Sequence, residues 1–318
     1  MNKEVNRMAS KIINGKQFAN DYLEKILKPR CEIFLQKYKK LPKLSTILVG
    51  SNPASESYIK LKEKFFMNLC VESEVFRLPE NTSEKELIKF IEKQNEYDSI
   101  DGILVQMPLP SHIDSNTIIE TILPSKDVEG LSPSNVYAWA KAIPNLVPAT
   151  ALGVLALLKY YKIPLEGKHV VVVGRSMIVG KPVSHLLLKE NATVTMCHSR
   201  TKPLEEYTRQ ADILIAAVGR PHLIREGMIK ESAVVVDVGV NFEDGKLIGD
   251  VDFDDLQKTA SYISPVPGGS GPATVCMLAS NLLLAFELKN AKGSKEQLDC
   301  LREYYANYET IGEKGFCI

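Results

Sequence analysis

Tyr58 and Lys62 stand four residues apart in a stretch opened by Pro53, Ala54 and Ser55. On a helix that spacing puts both side chains on one face. There a ring can stack on a flat ligand and an amine can move a proton. The same spacing describes an ordinary solvated pair, and Lys60, Glu63 and Lys64 beside it are such residues. Gln106 closes an apolar run that begins at Ile100. A buried amide needs a partner, so it fits a satisfied core group or a site residue equally. Asp127 lies in a polar loop with Lys126 and Glu129, and by itself reads as a solvated charge.

A second constellation runs from His169 to Thr201. Val170 to Val173 is a continuous apolar run ending in Gly174, the pattern of a parallel strand buried on both faces. Gly180 and Pro182 follow, then an apolar-periodic segment through Leu188, then a β-rich run from Thr193 to Met196. A strand, a glycine turn, a helix and a strand set a pyrophosphate on a helix N-terminus. Residues 174–180 read G-R-S-M-I-V-G, so Ser176 replaces the middle glycine of G-x-G-x-x-G and the glycine pattern alone is weak. More informative is the end of the second strand. His198, Ser199 and Arg200 stand where an NAD site usually carries a carboxylate for the ribose 2′-hydroxyl. A hydroxyl and a guanidinium suit a 2′-phosphate, so the unit reads as an NADP site, with Arg175 and Ser176 supplying phosphate chemistry in the turn. Gly219 and Gly239 end two further apolar runs at the same expected edge.

The elements that must position these residues follow from periodicity. Residues 14–40, 151–161 and 273–288 read as helices, as does the segment after Pro53 and a short one at 116–123. Leu44 to Val49 and Ile100 to Gln106 read as strands. Ile263 to Pro272 is too rich in proline and glycine for helix or central strand and reads as a shaped loop. Strands alternate with helices, so the class is α/β with a largely parallel sheet in each half and a joint near residue 150. Beyond residue 289, Ser294 and Gln297 have capping-box spacing, and Leu298, Leu301, Tyr304, Tyr305 and Tyr308 form a stripe expected to pack back on the protein.

Composition narrows the function classes. The chain has 318 residues, 45% hydrophobic and 25% charged, as expected of a globular protein. Lys+Arg and Asp+Glu are both 39, which removes any whole-chain electrostatic case for nucleic acid or an anionic membrane. No uninterrupted apolar run approaches the ~20 residues that span a bilayer. The opening MNKEVNRMAS lacks the apolar core of a secretory signal, and the six cysteines are scattered without C-x-x-C. Reduced thiols and a cytoplasmic location are the expectation. Five histidines without clustering give no metal signal.

Together the motifs resemble the methylenetetrahydrofolate dehydrogenase/cyclohydrolase family over roughly residues 12–288. They are V-G-x-N-P-A-S-x-x-Y-x-x-x-K at 49–62, V-Q-M-P-L-P at 105–110, K-D-V-x-G at 126–130, G-R-S-x-x-V-G-x-P at 174–182, H-S-R-T at 198–201 and P-V-P-G-G-x-G-P at 265–272. The resemblance implies two α/β domains with a cleft between them. Residues 1–150 with 279–318 would bind folate, and 151–278 would be a Rossmann-type NADP domain. It implies NADP-dependent oxidation of methylene-tetrahydrofolate, hydrolysis of the methenyl product, and a homodimer with no nucleic-acid or membrane partner. Carried over by position, Lys62 is the proton-transfer lysine, Gln106 its partner, Tyr58 the ring that stacks on the folate, and Asp127 the carboxylate that anchors the pterin. Pro267, Gly268 and Gly269 lie in the loop that closes over the folate. Gly174, Arg175, Ser176, Ser199, Arg200, Gly219 and Val240 are the implied cofactor contacts. No metal is required.

Ala149, Ala151, Ser270, Ala273, Glu129 and Cys70 depart from the family pattern. They motivate one rival reading, a non-catalytic folate- or NADP-binding relic. Another is an NADP-dependent dehydrogenase of a different small substrate, such as a shikimate-type enzyme.

Overall fold

A computed structural model describes residues 10–141, 143 and 145–309 of the chain. These divide into two compact units: residues 20–149 with 275–309, and residues 10–19 with 150–274. Each is built of helices and a parallel sheet.

In the first unit the sheet has three parallel strands in the order Glu72–Leu78, Lys43–Val49, Gly102–Val105. The chain leaves the central strand, crosses by the helix Pro53–Asn68 to one side, and returns by the helix Glu84–Glu96 to the other. Strand order therefore reverses about Lys43–Val49, the arrangement that opens a crevice at the strands' carboxyl ends. The helix Pro53–Asn68 starts for a local reason. Asn52 Oδ1 accepts from Ser55 N at 3.2 Å, and Pro53 occupies a first-turn position whose missing N–H is no loss. Ser55, Ile59, Lys62 and Phe66 are its buried stripe, each at most 7% exposed. Cys70 follows in the left-handed region at φ 58°, a conformation that costs a non-glycine residue about 1 kcal/mol.

The second unit has six parallel strands in the order Lys11–Ile12, Tyr262–Ile263, Val234–Asp237, Ile213–Ala216, His169–Val173, Thr193–Cys197. Val170 to Val173 are at most 2% exposed, as the four-valine run requires. Order reverses about His169–Val173, so a second crevice lies between the ends of that strand and of Ile213–Ala216. The N-terminal residues depart from the expected division. Lys11–Ile12 pairs with Tyr262–Ile263, which draws residues 10–19 into this unit.

Two other expectations change. The strand predicted over Ile100 to Gln106 is only Gly102–Val105, with Gln106 immediately beyond it and its N–H bonded to Ile47 O at 2.8 Å. The loop predicted to Pro272 ends earlier, because Pro272 sits in the first turn of a helix Ser270–Asn290, where no N–H is needed. That 21-residue helix is also long and apolar enough to cross a bilayer by length and composition, although interspersed polar residues keep its uninterrupted apolar runs short; 72% of its apolar stretch is buried within the protein.

The terminal helix is Ser294–Glu309. Tyr304 is fully buried, whereas Leu298 is 51% exposed and so lies off the packed stripe. The side chain of Tyr308 lies outside the described residues. The expected capping box is replaced: Glu296, not Gln297, accepts a backbone N–H, from Lys292 at 2.6 Å.

Candidate active site

Lys62 and Gln106 meet at the crevice of the first unit. The helix supplies the lysine and the end of the strand Gly102–Val105 supplies the amide. Lys62 Nζ donates to Gln106 Oε1 at 2.8 Å, and Gln106 Nε2 donates to Met107 O at 2.7 Å. The second bond fixes which end of the amide faces the amine. Burial pushes the Lys62 ammonium below the ordinary lysine range, opposed by the charge of Glu129. Burial also raises the Glu129 carboxyl; Lys62 opposes that shift and Asp127 adds to it. Tyr58, one turn before Lys62, is half-buried, and burial raises its hydroxyl. An amine buried against an amide oxygen, its pKa lowered by that burial, is suited to accept or deliver a proton at a reacting carbon.

Asp127 does not stand where a ligand anchor would. It is 1% exposed, and its Oδ2 accepts from Ser132 N at 2.6 Å and from Asn135 Nδ2 at 2.9 Å. Those bonds fix the start of the helix Pro133–Ala140. Its neighbour Lys126 is equally committed. Lys126 Nζ donates to the carbonyls of Gln94, Asn95 and Tyr97, capping the end of the helix Glu84–Glu96. Two of the three charges of K-D-V-E-G are therefore spent on helix ends, and the carboxylate coupled to Lys62 is the third, Glu129.

In the second unit, Gly174 ends the strand His169–Val173 at φ 134°. A Cβ on it would lie 2.2 Å from Ala217 O, and one on Gly180 would lie 2.2 Å from Gly174 O. Bare backbone thus lines the crevice and leads into the helix Gly180–Lys189, the setting in which a pyrophosphate approaches a helix N-terminus. Ser176 Oγ accepts from Val179 N at 3.1 Å, which caps that helix and leaves its O–H free to donate. At the end of Thr193–Cys197 a tight turn is held by His198 N to Thr201 Oγ1, Thr201 N to His198 O, and Arg200 N to His198 Nδ1. Ser199 and Arg200 are exposed at its tip, as is Arg175 in the first turn. These residues fit a 2′-phosphorylated dinucleotide: open backbone for the pyrophosphate, and exposed hydroxyl and guanidinium groups with no carboxylate in the turn.

Gly219 lies on a loop whose anchor the sequence did not reveal. Asp250 is fully buried and accepts from Val218 N at 2.6 Å, Gly219 N at 3.0 Å, Arg220 N at 2.7 Å and Asn241 Nδ2 at 3.1 Å. Gly239 is required beside it, because a Cβ there would fall 2.0 Å from the carboxylate carbon. Val240 is half-buried just beyond. Asp237 stands behind, its carboxyl raised to about 7 by burial against N–H bonds from Val251, Asp250 and Gly239 that favour the ionised form. In the loop after Tyr262–Ile263, Pro267 is exposed, Gly268 has φ 111°, and Gly269 N donates to Pro265 O at 2.8 Å.

The comparisons with known proteins agree with both halves. Residues 13–129 match the family described as tetrahydrofolate dehydrogenase/cyclohydrolase, catalytic domain, and residues 148–290 match its NAD(P)-binding domain. The bifunctional protein FolD of Exiguobacterium sibiricum is 50% identical over 275 residues, covering 86% of this chain and 98% of that protein. That of Thermodesulfovibrio yellowstonii is 47% identical over 283 residues, 89% and 98% of the two chains. Among solved structures, the bifunctional FolD of Campylobacter jejuni aligns with a TM-score of 0.83 at 45% identity, covering 87% and 98%. The Trypanosoma brucei dehydrogenase-cyclohydrolase, solved with NADP cofactor and an inhibitor, aligns at 0.85 and 37%, covering 90% and 100%.

Proposed function

The chain belongs to the tetrahydrofolate dehydrogenase/cyclohydrolase family, and from that premise we propose that it oxidises 5,10-methylenetetrahydrofolate with NADP and hydrolyses the methenyl product to 10-formyltetrahydrofolate. The observation that carries this reading is the buried amine of Lys62 hydrogen-bonded to Gln106 at the first unit's strand ends. NADP, when bound, accepts the hydride; the rest is done by side chains. Tyr58 stacks on the folate and orients the one-carbon bridge, which favours the hydride step by geometry alone. In the second step water adds to the cationic methenyl carbon, and Lys62 moves the proton that this addition and ring opening require. Glu129, coupled to Lys62, tunes that amine and offers the folate its carboxylate. Pro267, Gly268 and Gly269 contribute the loop over the substrate, and a homodimer in the cytoplasm completes the reading.

The rival readings lose their motives. A family match over both halves leaves no room for a shikimate-type substrate. Ala149, Ala151, Ser270 and Ala273, which suggested a relic, are at most 5% exposed and are packing positions. Ser270 Oγ, for instance, donates to Asp237 O at 2.9 Å. One absorbance assay following NADPH and methenyl-tetrahydrofolate together tests the proposal. NADP binding without turnover of methylene-tetrahydrofolate would overturn it.

Two expected results belong here. Glu129→Gln should move the Lys62-controlled limb of the hydrolysis pH profile to lower pH. The carboxylate raises the lysine's pKa, and its removal leaves burial unopposed. A limb that stays in place or moves upward refutes the coupling. NADP should also exceed NAD in kcat/KM by roughly ten- to a hundredfold, the worth of charge-assisted bonds to a 2′-phosphate. Equal efficiency at matched ionic strength would show that Arg175, Ser199 and Arg200 do not read that phosphate.

A further inference from the structure

The terminal helix Ser294–Glu309 lies beyond the residues matched by the family, which end at 290. Two hydrogen-bonded paths nevertheless run from it to the loop that carries Glu129. In the first, Tyr304 Oη donates to Asn281 Oδ1, and both are fully buried. Asn281 Nδ2 then donates to Val128 O at 2.8 Å and to Val147 O at 2.9 Å. Those two carbonyls belong to segments in close contact, since a Cβ on Gly130 would fall 2.7 Å from the carbonyl carbon of Val147. In the second path, Tyr305 Oη donates to Asn145 O at 2.9 Å and accepts from Asn145 N at 3.2 Å. Asn145 Nδ2 donates to Asn135 Oδ1 at 2.7 Å, and Asn135 Nδ2 donates to Asp127 Oδ2 at 2.9 Å. The paths end on Asp127 and Val128, the two residues before Glu129.

We propose that Tyr304 and Tyr305 are positioning residues for the folate site, holding Glu129 in register with Lys62 through Asn281 and Asn145. The chemistry favours this over simple packing. Asn281 has one side-chain orientation that serves both carbonyls, and the tyrosine hydroxyl is the donor that satisfies the amide oxygen left over. Without that donor, the buried Oδ1 is left unsatisfied, a cost the side chain can relieve only by shifting off the two carbonyls it holds. Tyr305 instead holds the Asn145 backbone at both its N–H and its carbonyl, and from there the Asn145 side chain reaches Asn135 and so the cap on Asp127. The proposal rests on reading the Lys62 site as the folate site.

The test uses the full-length chain with Tyr304→Phe, Tyr305→Phe and the double substitution, each removing one or both hydroxyls and little volume. The double variant should raise the KM for methylene-tetrahydrofolate about tenfold, the equivalent of roughly one lost buried hydrogen bond, with the KM for NADP within about twofold. Amide hydrogen exchange should quicken over residues 124–132 and stay unchanged in His169–Val173. A purely structural role would lower the melting temperature while leaving folate KM and exchange at 124–132 alone, and that result overturns the proposal. If the parent protein turns over no folate, the functional reading fails, and exchange still decides whether the tyrosines hold the loop: faster at 124–132 sustains the anchoring, unchanged refutes it.

Discussion

Lys62→Ala should abolish hydrolysis of methenyl-tetrahydrofolate, by about two to four orders of magnitude, while hydride transfer to NADP survives in part. The asymmetry follows from what each step needs. Ring opening requires a proton to move at the reacting carbon, and positioned acid–base catalysis supplies roughly that factor. Lys62 is the charged member of the helix's buried stripe, with Ile59 and Phe66 on either side of it. Gln106 has no titrating proton to take its place. The hydride step depends on how two flat rings are held, which Tyr58 continues to influence. Loss of absorbance at the methenyl band after mixing reports the first rate, and NADPH formation reports the second. Hydrolysis at the parental rate by a folded variant would remove Lys62 from the mechanism.

Asp250→Ala should destabilise the cofactor unit by about 3–5 kcal/mol and take NADP affinity with it. One carboxylate holds three consecutive backbone N–H groups, of Val218, Gly219 and Arg220, together with the Asn241 amide. An alanine leaves each of those donors to find water or go unpaired, and the cost of an unmade bond exceeds the gain of a made one. The loop they belong to follows the strand Ile213–Ala216 at the crevice, so its loss falls on the ligand as well as on the fold. Thermal unfolding and a fluorescence titration with NADP would measure both. A variant that melts and binds like the parent would show that the loop is held by something else.

Local sequence carried much of this. Four valines and a glycine specified the strand His169–Val173, and Asn52 with Pro53 specified where the site's helix begins. The nucleotide turn was legible because its chemistry is local: a hydroxyl and an arginine stand where a carboxylate would. Other features also carry a local signal. The helix Glu84–Glu96 opens with Ser83 and Glu86 in a reciprocal capping box, and Lys62 sits at core spacing between Ile59 and Phe66. The strand Glu72–Leu78 was harder to see, because its side chains are only partly buried and its pairing partner precedes it. What could not be read locally were bonds between distant residues. Asn281 reaches Val128 across 153 positions, and Asp250 reaches Val218 across 32. No periodicity records such a bond. The commitment of Asp127 had a local signal instead, since its partners lie only 5 and 8 residues on, at a helix start marked by Ser132 and Pro133.

K-D-V-E-G is thus two motifs laid over one another, and mutation would pull them apart. Lys126 and Asp127 answer to folding: each closes a helix end, and a lineage that abandoned folate chemistry but still needed a soluble, intact protein would keep them. Glu129, on the proposed reading, answers to the reaction, and the same lineage would let it drift. A population of variants scored once for abundance and once for one-carbon turnover would therefore draw different boundaries through five adjacent letters. The same short stretch would then read as two sites, one scored by folding and one by chemistry.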